Sequence, residues 1–441
     1  MFAEKFRSRK QHSEQSKEIA SIYYNNLNTD KSGKRKVMID YKYFFTKIKD
    51  VKARDIMTAF PMLCALIISP LYKARYRKTW LICEEKAEAR DNGYWFFKMM
   101  RENHPELDCI YAIDKHSVDY KKVKNLGTVI QYGSFKHWIL YFTCAYNISS
   151  QKGGKPNAAL CSFIELNDLF NAHNVFLEHG VTINKVVWLF SDRSRFDMMV
   201  ASTTPEYKFI EEFFGYPKGV VQLTGLPRWD NLHNIRIKKN RIVVMPTWRY
   251  WFNLKSKEKG NLTHDFVNST YLKFWKAFLE SDELNTLIQE KNLEVVFYPH
   301  RNMQNHLSDI KKVVKTNAIL ASWTDYDIQE LLISSEMMIT DYSSVFFDMV
   351  YMKKPVIFYQ FDLADFRKGQ YEEGYFDYQN NPFGKSCSSL DDLMWELKKI
   401  VESDFKCDKA FLEAHSEYFP YYDSDNSERV YTALKAKEQT R

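Results

Sequence analysis

A polar elbow between two apolar segments is the first feature of this sequence that could do chemistry. Within MITDYSSVFFDMVYMKKPVIFY (residues 338–359), Thr340, Asp341, Ser343 and Ser344 separate an apolar strand pattern from an apolar helix pattern. A helix that begins at Ser343 or Ser344 would direct unpaired backbone N–H groups and the positive end of its dipole at the elbow. The pattern therefore predicts a phosphate site, although the serines could also serve simply as helix caps.

Three other predicted strands end in polar residues that suit the same kind of ligand. They are followed by His179–Gly180, Thr247–Arg249 and His300–Arg301. Ligands of open α/β sheets bind beyond the carboxyl ends of the strands, where imidazoles, a guanidinium and hydroxyls could hold a phosphate-bearing anion. Each residue alone has a plainer interpretation, because such histidines often pair with turn carbonyls and arginines often form surface ion pairs. Their joint occurrence favours a phosphate site.

Motifs for other chemistries are weaker. Carboxylates with metal-chelating spacing occur at Asp325–Asp327 and Asp423–Asp425, but Asp327 with Glu330 and the following apolar run is a capping-box pattern. Lys152–Lys155 reads KGGK without the spacing of a Walker loop, and predicts a mobile loop with acceptor contact as the alternative. Neither HExxH nor GxSxG occurs. We therefore expect no metal site and no cofactor.

The elements that must position these residues follow a repeated strand and helix rhythm. Short apolar strands alternate with helical patterns from Thr79 to Gly225 and again from Arg241 to Asp362. A chain of 441 residues is too long for one ordinary core. The pattern predicts an α/β fold with two Rossmann-like, doubly wound domains. The expected segments are 1–75 (basic tail and apolar segment), 76–235, 236–400 and 401–441 (terminal helices).

Basic charge is concentrated near the N-terminus. Residues 1–78 hold 18 Lys and Arg against 7 Asp and Glu, whereas the net charge of the whole chain is +7, so the remainder is acidic. This segment surrounds the 17-residue apolar run Ile56–Tyr72, which contains Pro61 and Pro70. Basic residues flank both sides, which favours a helix lying on an anionic membrane surface over a spanning or buried helix. Seven cysteines without a CxxC pair fit a reducing cytoplasm, so we expect a peripheral protein on the cytoplasmic face of the membrane.

The motifs EHG, MPTWR, YPHRN and ITDYSSVFFDMVYMKKPVIFYQFD, together with Trp80–Glu106, resemble the CDP-glycerol glycerophosphotransferase family, which includes teichoic-acid primases and polymerases. The resemblance extends over residues 78–400. It implies a GT-B architecture, with the donor in a cleft between two Rossmann-like domains. It further implies a membrane-associated enzyme that moves glycerol phosphate from CDP-glycerol to a hydroxyl of a lipid-linked cell-envelope polymer and releases CMP.

The resemblance also implies roles for individual residues. His179 corresponds to the general base, while His300 and Arg249 correspond to residues that hold the pyrophosphate. Asp341 and Asp348 could orient His300 or the cytidine ribose, or could only stabilise the helix. The full set of residues expected to bind the donor, besides the two histidines, is Gly180, Arg249, Arg301, Thr340, Asp341, Ser343, Ser344 and Asp348.

Three alternatives stay open at this point. The stretch VTINK after His179–Gly180 departs from the continuation typical of glycerophosphate enzymes, so a CDP-ribitol donor is possible. A GT-B glycosyltransferase that uses a nucleotide sugar would need the same phosphate-binding elements. A non-catalytic protein could use the basic tail for a membrane or nucleic acid, but no nucleic-acid-binding motif accompanies the tail, so we expect no nucleic-acid partner.

Overall fold

The chain forms two parallel α/β sheets, each at the centre of one compact unit. The computed structural model describes residues 53–167, 172–249, 251–252, 266–369 and 371–439; the predicted basic tail over residues 1–50 lies outside them. The first unit runs up to His179 and includes Val186–Arg228 and the residues from Asp425 onward. The second unit consists of Gly180–Lys185 and Trp229–Ser424. The prediction of two doubly wound parallel sheets is confirmed.

The first unit contains seven strands and the helices that cover them. The strands are β1 (Trp80–Cys83), β2 (Cys109–Ile113), β3 (Thr128–Gln131), β4 (Tyr146–Ser149), β5 (His173–Phe176), β6 (Met198–Ala201) and β7 (Val221–Leu223). The helices are α1 (Ala53–Tyr76), α2 (Asn92–Asn103), α3 (Tyr120–Lys124), α4 (Phe135–Thr143), α5 (Ala158–Leu166), α6 (Thr204–Phe213) and α15 (Asn426–Gln439), with a short 3-10 helix at Val187–Leu189.

The strand order of the first sheet is β3-β2-β1-β4-β5-β6-β7, and every pairing is parallel. The chain therefore builds outward from β1 in one direction and then from β4 in the other, which creates a switch point between these two strands. All residues of β1, β2, β4 and β6 are buried, as expected for a sheet covered on both faces. The switch point directs the loops after β1 and β4 toward the same place.

The second unit repeats this plan with six strands. The strands are β8 (Arg241–Met245), β9 (Glu294–Phe297), β10 (Ile319–Leu320), β11 (Met337–Thr340), β12 (Val356–Tyr359) and β13 (Gly384–Cys387). The helices are α7 (Thr270–Glu280), α8 (Asp282–Glu290), α9 (Leu307–Val313), α10 (Ile328–Ser334), α11 (Phe346–Tyr351), α12 (Leu363–Gly369), α13 (Leu390–Glu402) and α14 (Lys409–Tyr418), with 3-10 helices at Pro227–His233 and Arg301–His306.

The second sheet has the order β10-β9-β8-β11-β12-β13, again entirely parallel. Its switch point lies between β8 and β11. Buried apolar side chains from β8, β9, β11 and β12 pack with Trp275 of α7 and Leu397 of α13 in one core cluster. Because this core fixes the strands, the residues that follow β9, β8, β11 and β12 occupy neighbouring positions along one edge of the sheet.

The terminal helices divide between the two units. Helices α13 and α14 pack within the second unit, whereas α15 returns to the first. There Leu434 accepts a hydrogen bond from Tyr146 of β4 through its carbonyl, and Lys437 donates to the carbonyls of Asp197 and Gly219. Gly225 has a φ of +80°, and a Cβ at this residue would lie 1.8 Å from Asn426 Oδ1. Glycine at residue 225 therefore permits both the turn and the close approach of α15.

Candidate active site

Residues that end four neighbouring strands of the second sheet form the main candidate site of that unit. His300 follows β9, Thr247 follows β8, the elbow at Ser343 follows β11 and Gln360 follows β12. The strand order places these ends side by side, with the switch point between Thr247 and the elbow. The fold thus brings together three of the four segments that the sequence singled out. The fourth segment, at His179, follows β5 of the first sheet.

The elbow differs in one detail from the predicted one. Helix α11 begins at Phe346, with Val345 at its N-cap, rather than at Ser343 or Ser344. Val345 donates a backbone hydrogen bond to Ser343 Oγ at 3.4 Å, while the backbone N–H groups of Ser343 and Ser344 donate to no oxygen in the described part of the chain. Two open amide donors therefore remain at the elbow, two and three residues before the short helix.

Thr340 and Asp341 hold the elbow in place. The hydroxyl of Thr340 is buried and donates to the carbonyl of Met245 on β8 at 2.7 Å. The Oδ1 atom of Asp341 accepts from the backbone N–H of Thr247 at 2.8 Å and from that of Tyr342 at 2.7 Å. Because these contacts connect the ends of β8 and β11, both side chains fix the backbone that surrounds the switch point. Their predicted role in donor binding stays a prediction.

Arg249 lies at the centre of a fully buried ionic cluster. Its side chain has no solvent exposure, and it pairs with Asp341 at 2.8 Å and with Asp362 at 2.8 Å. Burial alone would lower the pKa of Arg249, but the two carboxylates more than offset this effect and raise the pKa above its usual value. The guanidinium also donates to the carbonyl of Thr247 and lies 5.0 Å from the ring centre of Tyr342.

These contacts bear on the role that the resemblance implies for Arg249. Its donors already bond to protein oxygens, and no part of the side chain reaches solvent. Contact between Arg249 and a pyrophosphate stays a prediction, whereas its contact with both carboxylates is observed. Asp362, which follows β12, was not selected from the sequence because its motif position carries no chemical signal of its own.

Two buried oxygens at the switch point have no hydrogen-bond partner among the described residues. They are Thr247 Oγ1 and Gln360 Oε1; Gln360 Nε2 donates to the carbonyl of Asp341 at 3.0 Å. Both residues are at least nine-tenths buried, with exposures of 7% and 5%. A buried polar atom without a partner costs free energy, so these atoms indicate a place where a ligand or a water completes the network.

His300 and Arg301 follow β9, next to the strand ends described above. His300 is half-buried, accepts a hydrogen bond from the Asn302 backbone through Nδ1 at 3.2 Å, and stacks with Trp248 at 6.2 Å between ring centres. Arg301 is exposed and its guanidinium lies 5.1 Å from the ring centre of Trp323. The two residues supply an imidazole and an accessible positive charge at the end of β9.

Asp348, on α11, has a clear structural contact. Its carboxylate is buried and accepts a hydrogen bond from Trp229 Nε1 at 2.7 Å. The indole of Trp229 also stacks on Tyr351 at 4.5 Å. This contact supports the alternative in which Asp348 stabilises the helix, and its donor-binding role stays a prediction.

In the first unit, His179 lies on a turn with an unusual backbone. The preceding residue, Glu178, has a φ of +59°, a conformation that side chains with a Cβ rarely adopt. Asn92, at the start of α2, holds this turn because its Nδ2 donates to the carbonyls of Glu178 at 2.6 Å and Leu177 at 3.3 Å. The groups that support this turn are buried, whereas His179 as a residue reaches solvent.

Arg228 completes the support of His179. Its guanidinium donates to the backbone carbonyl of His179 at 2.9 Å and to Asp91 at 3.1 Å, and its backbone N–H donates to Asn92 Oδ1 at 3.0 Å. Desolvation lowers the pKa of His179 below its usual value; Asp91 opposes this shift and Arg228 adds to it. Asn92 and Arg228 were missed in the sequence because nothing local connects them to residue 179.

Gly180 follows His179 in the chain but belongs to the second unit. A Cβ at Gly180 would lie 2.7 Å from Ser344 Oγ, so the glycine allows the elbow serine to approach the backbone closely. No cluster of three His, Cys, Asp or Glu side chains that could hold a metal occurs among the residues described. Asp327 caps α10 by accepting from the backbone of Gln329 and Glu330, so its predicted capping role is confirmed.

The buried cluster generates a stability prediction. We expect Arg249→Lys to lower the free energy of unfolding by about 3 kcal/mol, because one ammonium cannot pair with both carboxylates in the same geometry. Urea denaturation measures this change. Arg301→Lys is the matched control, since Arg301 is exposed, and should change stability by less than about 0.5 kcal/mol. Equal stability of Arg249→Lys and the wild type would show that the cluster is not structural.

Comparison with known proteins identifies the family. Residues 66–435 match the model of the family described as CDP-glycerol:poly(glycerophosphate) glycerophosphotransferase. The minor teichoic acid biosynthesis protein GgaB of Bacillus subtilis (strain 168) is 30% identical over 381 residues, which are 84% of this chain and 41% of that protein. This chain therefore spans less than half of GgaB.

A second relative is matched over nearly its whole length. The teichoic acid poly(glycerol phosphate) polymerase of Bacillus spizizenii is 23% identical over 91% of this chain and 99% of its own. The solved structure of the wall teichoic acid polymerase TagF aligns with a TM-score of 0.63 and 18% identity, over 88% of this chain and 99% of that chain. This likeness confirms the predicted GT-B-type fold. The chain therefore belongs to the CDP-glycerol:poly(glycerophosphate) glycerophosphotransferase family.

Proposed function

We propose that this protein transfers a polyol phosphate, glycerol phosphate in the first place, from a CDP-activated donor to a hydroxyl of a lipid-linked cell-envelope polymer. CMP is the second product. The observation that carries this proposal is the elbow at the switch point of the second sheet, where Ser343 and Ser344 keep open backbone donors. Amide donors at such a place bind phosphate oxygens well.

The second unit offers several kinds of group that could contact a diphosphate. The amides of Ser343 and Ser344 would bind non-bridging oxygens, and the exposed Arg301 would supply positive charge. His300 would donate to the bridging or leaving oxygen. Thr247 Oγ1, which has no partner among the described residues, would form a hydrogen bond with the same ligand. In this proposal Arg249 does not contact the donor. It pairs with Asp341, which in turn accepts from the backbone of Tyr342 and so holds the elbow in position.

The proposed chemistry is a displacement at the β-phosphorus. An acceptor hydroxyl oxygen forms a bond to this phosphorus, and the bond between the phosphorus and the oxygen of CMP breaks with its electron pair leaving on CMP. His179 takes the proton of the hydroxyl as general base, which is typically worth about 10²–10⁴-fold in rate. Arg301 and the amide donors balance the charge that grows on the phosphate oxygens.

Ribitol phosphate is the second candidate for the transferred group. The residues after His179–Gly180 read VTINK, and Thr182 and Asn184 of this stretch are buried polar residues. Asn184 accepts a hydrogen bond from Arg367 at 2.6 Å, which ties the stretch to α12. The family assignment disfavours the nucleotide-sugar and the non-catalytic interpretations that the sequence left open.

We also propose that α1 attaches the protein to an anionic membrane surface. Met57, Phe60, Ile67 and Leu71 recur on one side of this helix and are 78%, 73%, 77% and 82% exposed. On its other side Ala65 is fully buried and packs in the core of the first unit. By length and composition the helix segment from residue 57 to 76 could cross a membrane, but a helix that packs on its own unit along one side favours an interfacial position.

Charge around α1 supports the same proposal. Four exposed cations follow the apolar stripe, namely Lys73, Arg75, Arg77 and Lys78. Each lysine or arginine near an anionic bilayer contributes about 1 kcal/mol to binding. An enzyme held there would meet a lipid-linked acceptor at the surface where that acceptor resides.

The central experiment measures CMP release from CDP-glycerol and from CDP-ribitol, with a lipid-linked or soluble acceptor. We expect release from CDP-glycerol, with His179→Ala reducing turnover by at least about 10²-fold while the donor still binds. Calorimetric titration of CDP-glycerol into the variant checks binding. Release from CDP-ribitol alone would reassign the donor. UDP release from UDP-sugars without CMP release from either donor would refute the proposal.

The support of His179 predicts opposite shifts in pH dependence. A general base acts when neutral, so kcat/KM should fall on acidification through the lowered pKa of His179. Removal of a positive charge in Arg228→Gln should move this acidic limb to higher pH, and removal of a negative charge in Asp91→Asn should move it to lower pH. Arg228→Lys keeps the charge and serves as the control. Shifts of the same sign in both neutral variants would contradict the base assignment.

The apolar stripe predicts a membrane phenotype. The triple variant Phe60→Ser, Ile67→Ser, Leu71→Ser should bind anionic vesicles at least about tenfold more weakly in co-sedimentation, because three exposed apolar side chains are lost. A control triple, Val118→Ser, Trp395→Ser, Leu412→Ser, removes three exposed apolar side chains elsewhere and should bind like the wild type. Unchanged pelleting of the stripe variant would exclude an interfacial role of α1.

A further inference from the structure

A buried glutamate at the end of β1 is a group that the proposed reaction does not use. Glu84 directly follows this strand and has no solvent exposure. Strand β1 lies between β2 and β4, so the backbone at Glu84 is anchored in the core of the first unit. Burial and the negative charge of Asp91 raise the pKa of Glu84 to about 8. A carboxyl group in such a place requires hydrogen bonds from the protein.

These hydrogen bonds come from the start of α2. Glu84 Oε2 accepts from the backbone N–H of Arg90 at 2.9 Å. Its Oε1 atom accepts from the backbone N–H groups of Asp91 at 3.0 Å and Tyr94 at 2.5 Å. The first N–H groups of a helix have no acceptor within the helix, and a side-chain oxygen usually satisfies one of them. Glu84 therefore caps α2 from the neighbouring strand.

Asp91 occupies the N-cap position of α2 without capping the helix. Its side chain accepts no hydrogen bond from the first turn. Aspartate is among the most favoured N-cap residues, so a bond to the first turn is what the sequence DNGYWFF (residues 91–97) would ordinarily produce. Instead, Asp91 Oδ1 pairs with the guanidinium of Arg228 at 3.1 Å. Because Glu84 already serves the first turn, the carboxylate of Asp91 is left for Arg228.

Close packing holds Glu84 against the first turn of α2. A Cβ on Gly93 would lie 2.8 Å from Glu84 Cγ, so glycine at this residue allows the contact. The segment before the turn meets a second carboxylate, because Asp119 accepts from the backbone N–H of Ala89 at 3.1 Å and from Arg90 Nε at 2.9 Å. The start of α2 is thus fixed by two acidic residues from other parts of the first unit.

The start of α2 carries the groups that support His179. Asn92 donates to the carbonyl of Glu178 at 2.6 Å. Arg228, which pairs with Asp91, donates to the carbonyl of His179 at 2.9 Å. All of these residues belong to the first unit. A displacement of the first turn of α2 would therefore reach the turn at His179 through two separate contacts.

We propose that Glu84 is a positioning residue for His179. It caps α2 in place of Asp91, and so leaves Asp91 to hold Arg228 and the turn. This role rests on the proposed function, in which His179 is the general base. Glu84 itself touches neither a substrate nor any reacting atom. Without Glu84, Asp91 is expected to rotate onto the first turn of its own helix, and Arg228 then loses its ionic partner.

Nuclear magnetic resonance of the full chain with isotopically labelled histidine tests the proposal. The signal of His179 is identified by its absence in His179→Gln, and its titration is followed with pH. Besides burial, which lowers the pKa of His179, Asp91 raises this pKa and Arg228 lowers it. Because Glu84→Ala lets Asp91 turn away, the titration midpoint of His179 should fall by at least about 0.3 on the pH scale, in the same direction as in Asp91→Asn. An unchanged or raised midpoint would overturn the proposal.

A double-mutant cycle identifies the route of the effect. If Glu84 acts through Asp91, the double variant Glu84→Ala, Asp91→Asn should shift the midpoint no further than Asp91→Asn alone. Additive shifts would show that Glu84 acts on His179 by another route, and the proposed role would then be wrong.

Glu206 provides a matched control in the same unit. It also has no solvent exposure, and it accepts from the backbone N–H groups of Ser202 at 2.6 Å and Thr203 at 3.4 Å, at the capping box of α6. Glu206→Ala should lower stability toward urea to a similar extent but leave the midpoint of His179 unchanged. An equal fall of the midpoint in Glu206→Ala would reduce the effect to general loosening of the unit and contradict the proposal.

Two further variants keep the test decisive where Glu84→Ala does not fold, with a thermal melt as the check of folding. Glu84→Gln preserves the shape of the side chain and keeps Oε1 as an acceptor, so the midpoint of His179 should stay at the wild-type value. Glu84→Asp is shorter by one methylene and cannot reach all three N–H groups, so the midpoint should fall as in Glu84→Ala. A folded Glu84→Asp variant that titrates like the wild type would exclude the positioning role.

Kinetic measurements separate this role from the proposed function. With CDP-glycerol, Glu84→Ala should lower kcat at least about tenfold and change KM by less than about threefold, because the base is displaced while the proposed donor site lies in the second unit. Unchanged kcat in an active enzyme would overturn the positioning role alone. A lowered midpoint of His179 in a protein that releases CMP from neither CDP donor would refute the proposed function but leave the support of His179 by Glu84 assigned.

Discussion

The buried pairing of Arg249 with Asp341 and Asp362 is the constraint on which the second unit depends. Removal of a guanidinium and two carboxylates from water costs several kcal/mol per charge, and only close ionic contacts offset that cost. Here the three charges come from the ends of β8, β11 and β12, so their pairing fixes three strand ends at once. Asp362 also accepts from the hydroxyl of Tyr342, which lies within the elbow. The open amides at Ser343 and Ser344 are consequently set in position before any ligand arrives.

In the first unit, neutral groups and a single ion pair fix the turn that precedes His179. Its turn before His179 includes a residue with positive φ, and such a conformation persists only where the surroundings determine it. Asn92 satisfies two carbonyls of that turn, and Arg228 satisfies the third while pairing with Asp91. In the proposed mechanism His179 is the general base, and a fixed backbone suits that role because a small displacement of the base costs much of the rate.

The sequence was informative wherever a local pattern carries the signal. Apolar strands followed by polar residues predicted eleven of the thirteen strands in the described part of the chain, and the capping pattern at Asp327 predicted the start of α10. The two strands that were missed, β10 with two residues and β13 with the sequence GKSC, lie at the edges of their sheet and lack an apolar run. An edge strand needs few buried side chains, so its sequence lacks the apolar pattern by which a strand is predicted.

Contacts between residues far apart in the chain explain what the sequence did not predict. Arg249 was expected to face a ligand, but nothing beside it in the sequence announces that Asp341 and Asp362 lie within 2.8 Å of its guanidinium. The same reason hid the support of His179, because Asn92 and Arg228 lie far from it in the chain and reach its turn only through the fold. Local patterns in a sequence record burial and capping, whereas contacts of this kind depend on the topology that brings distant segments together.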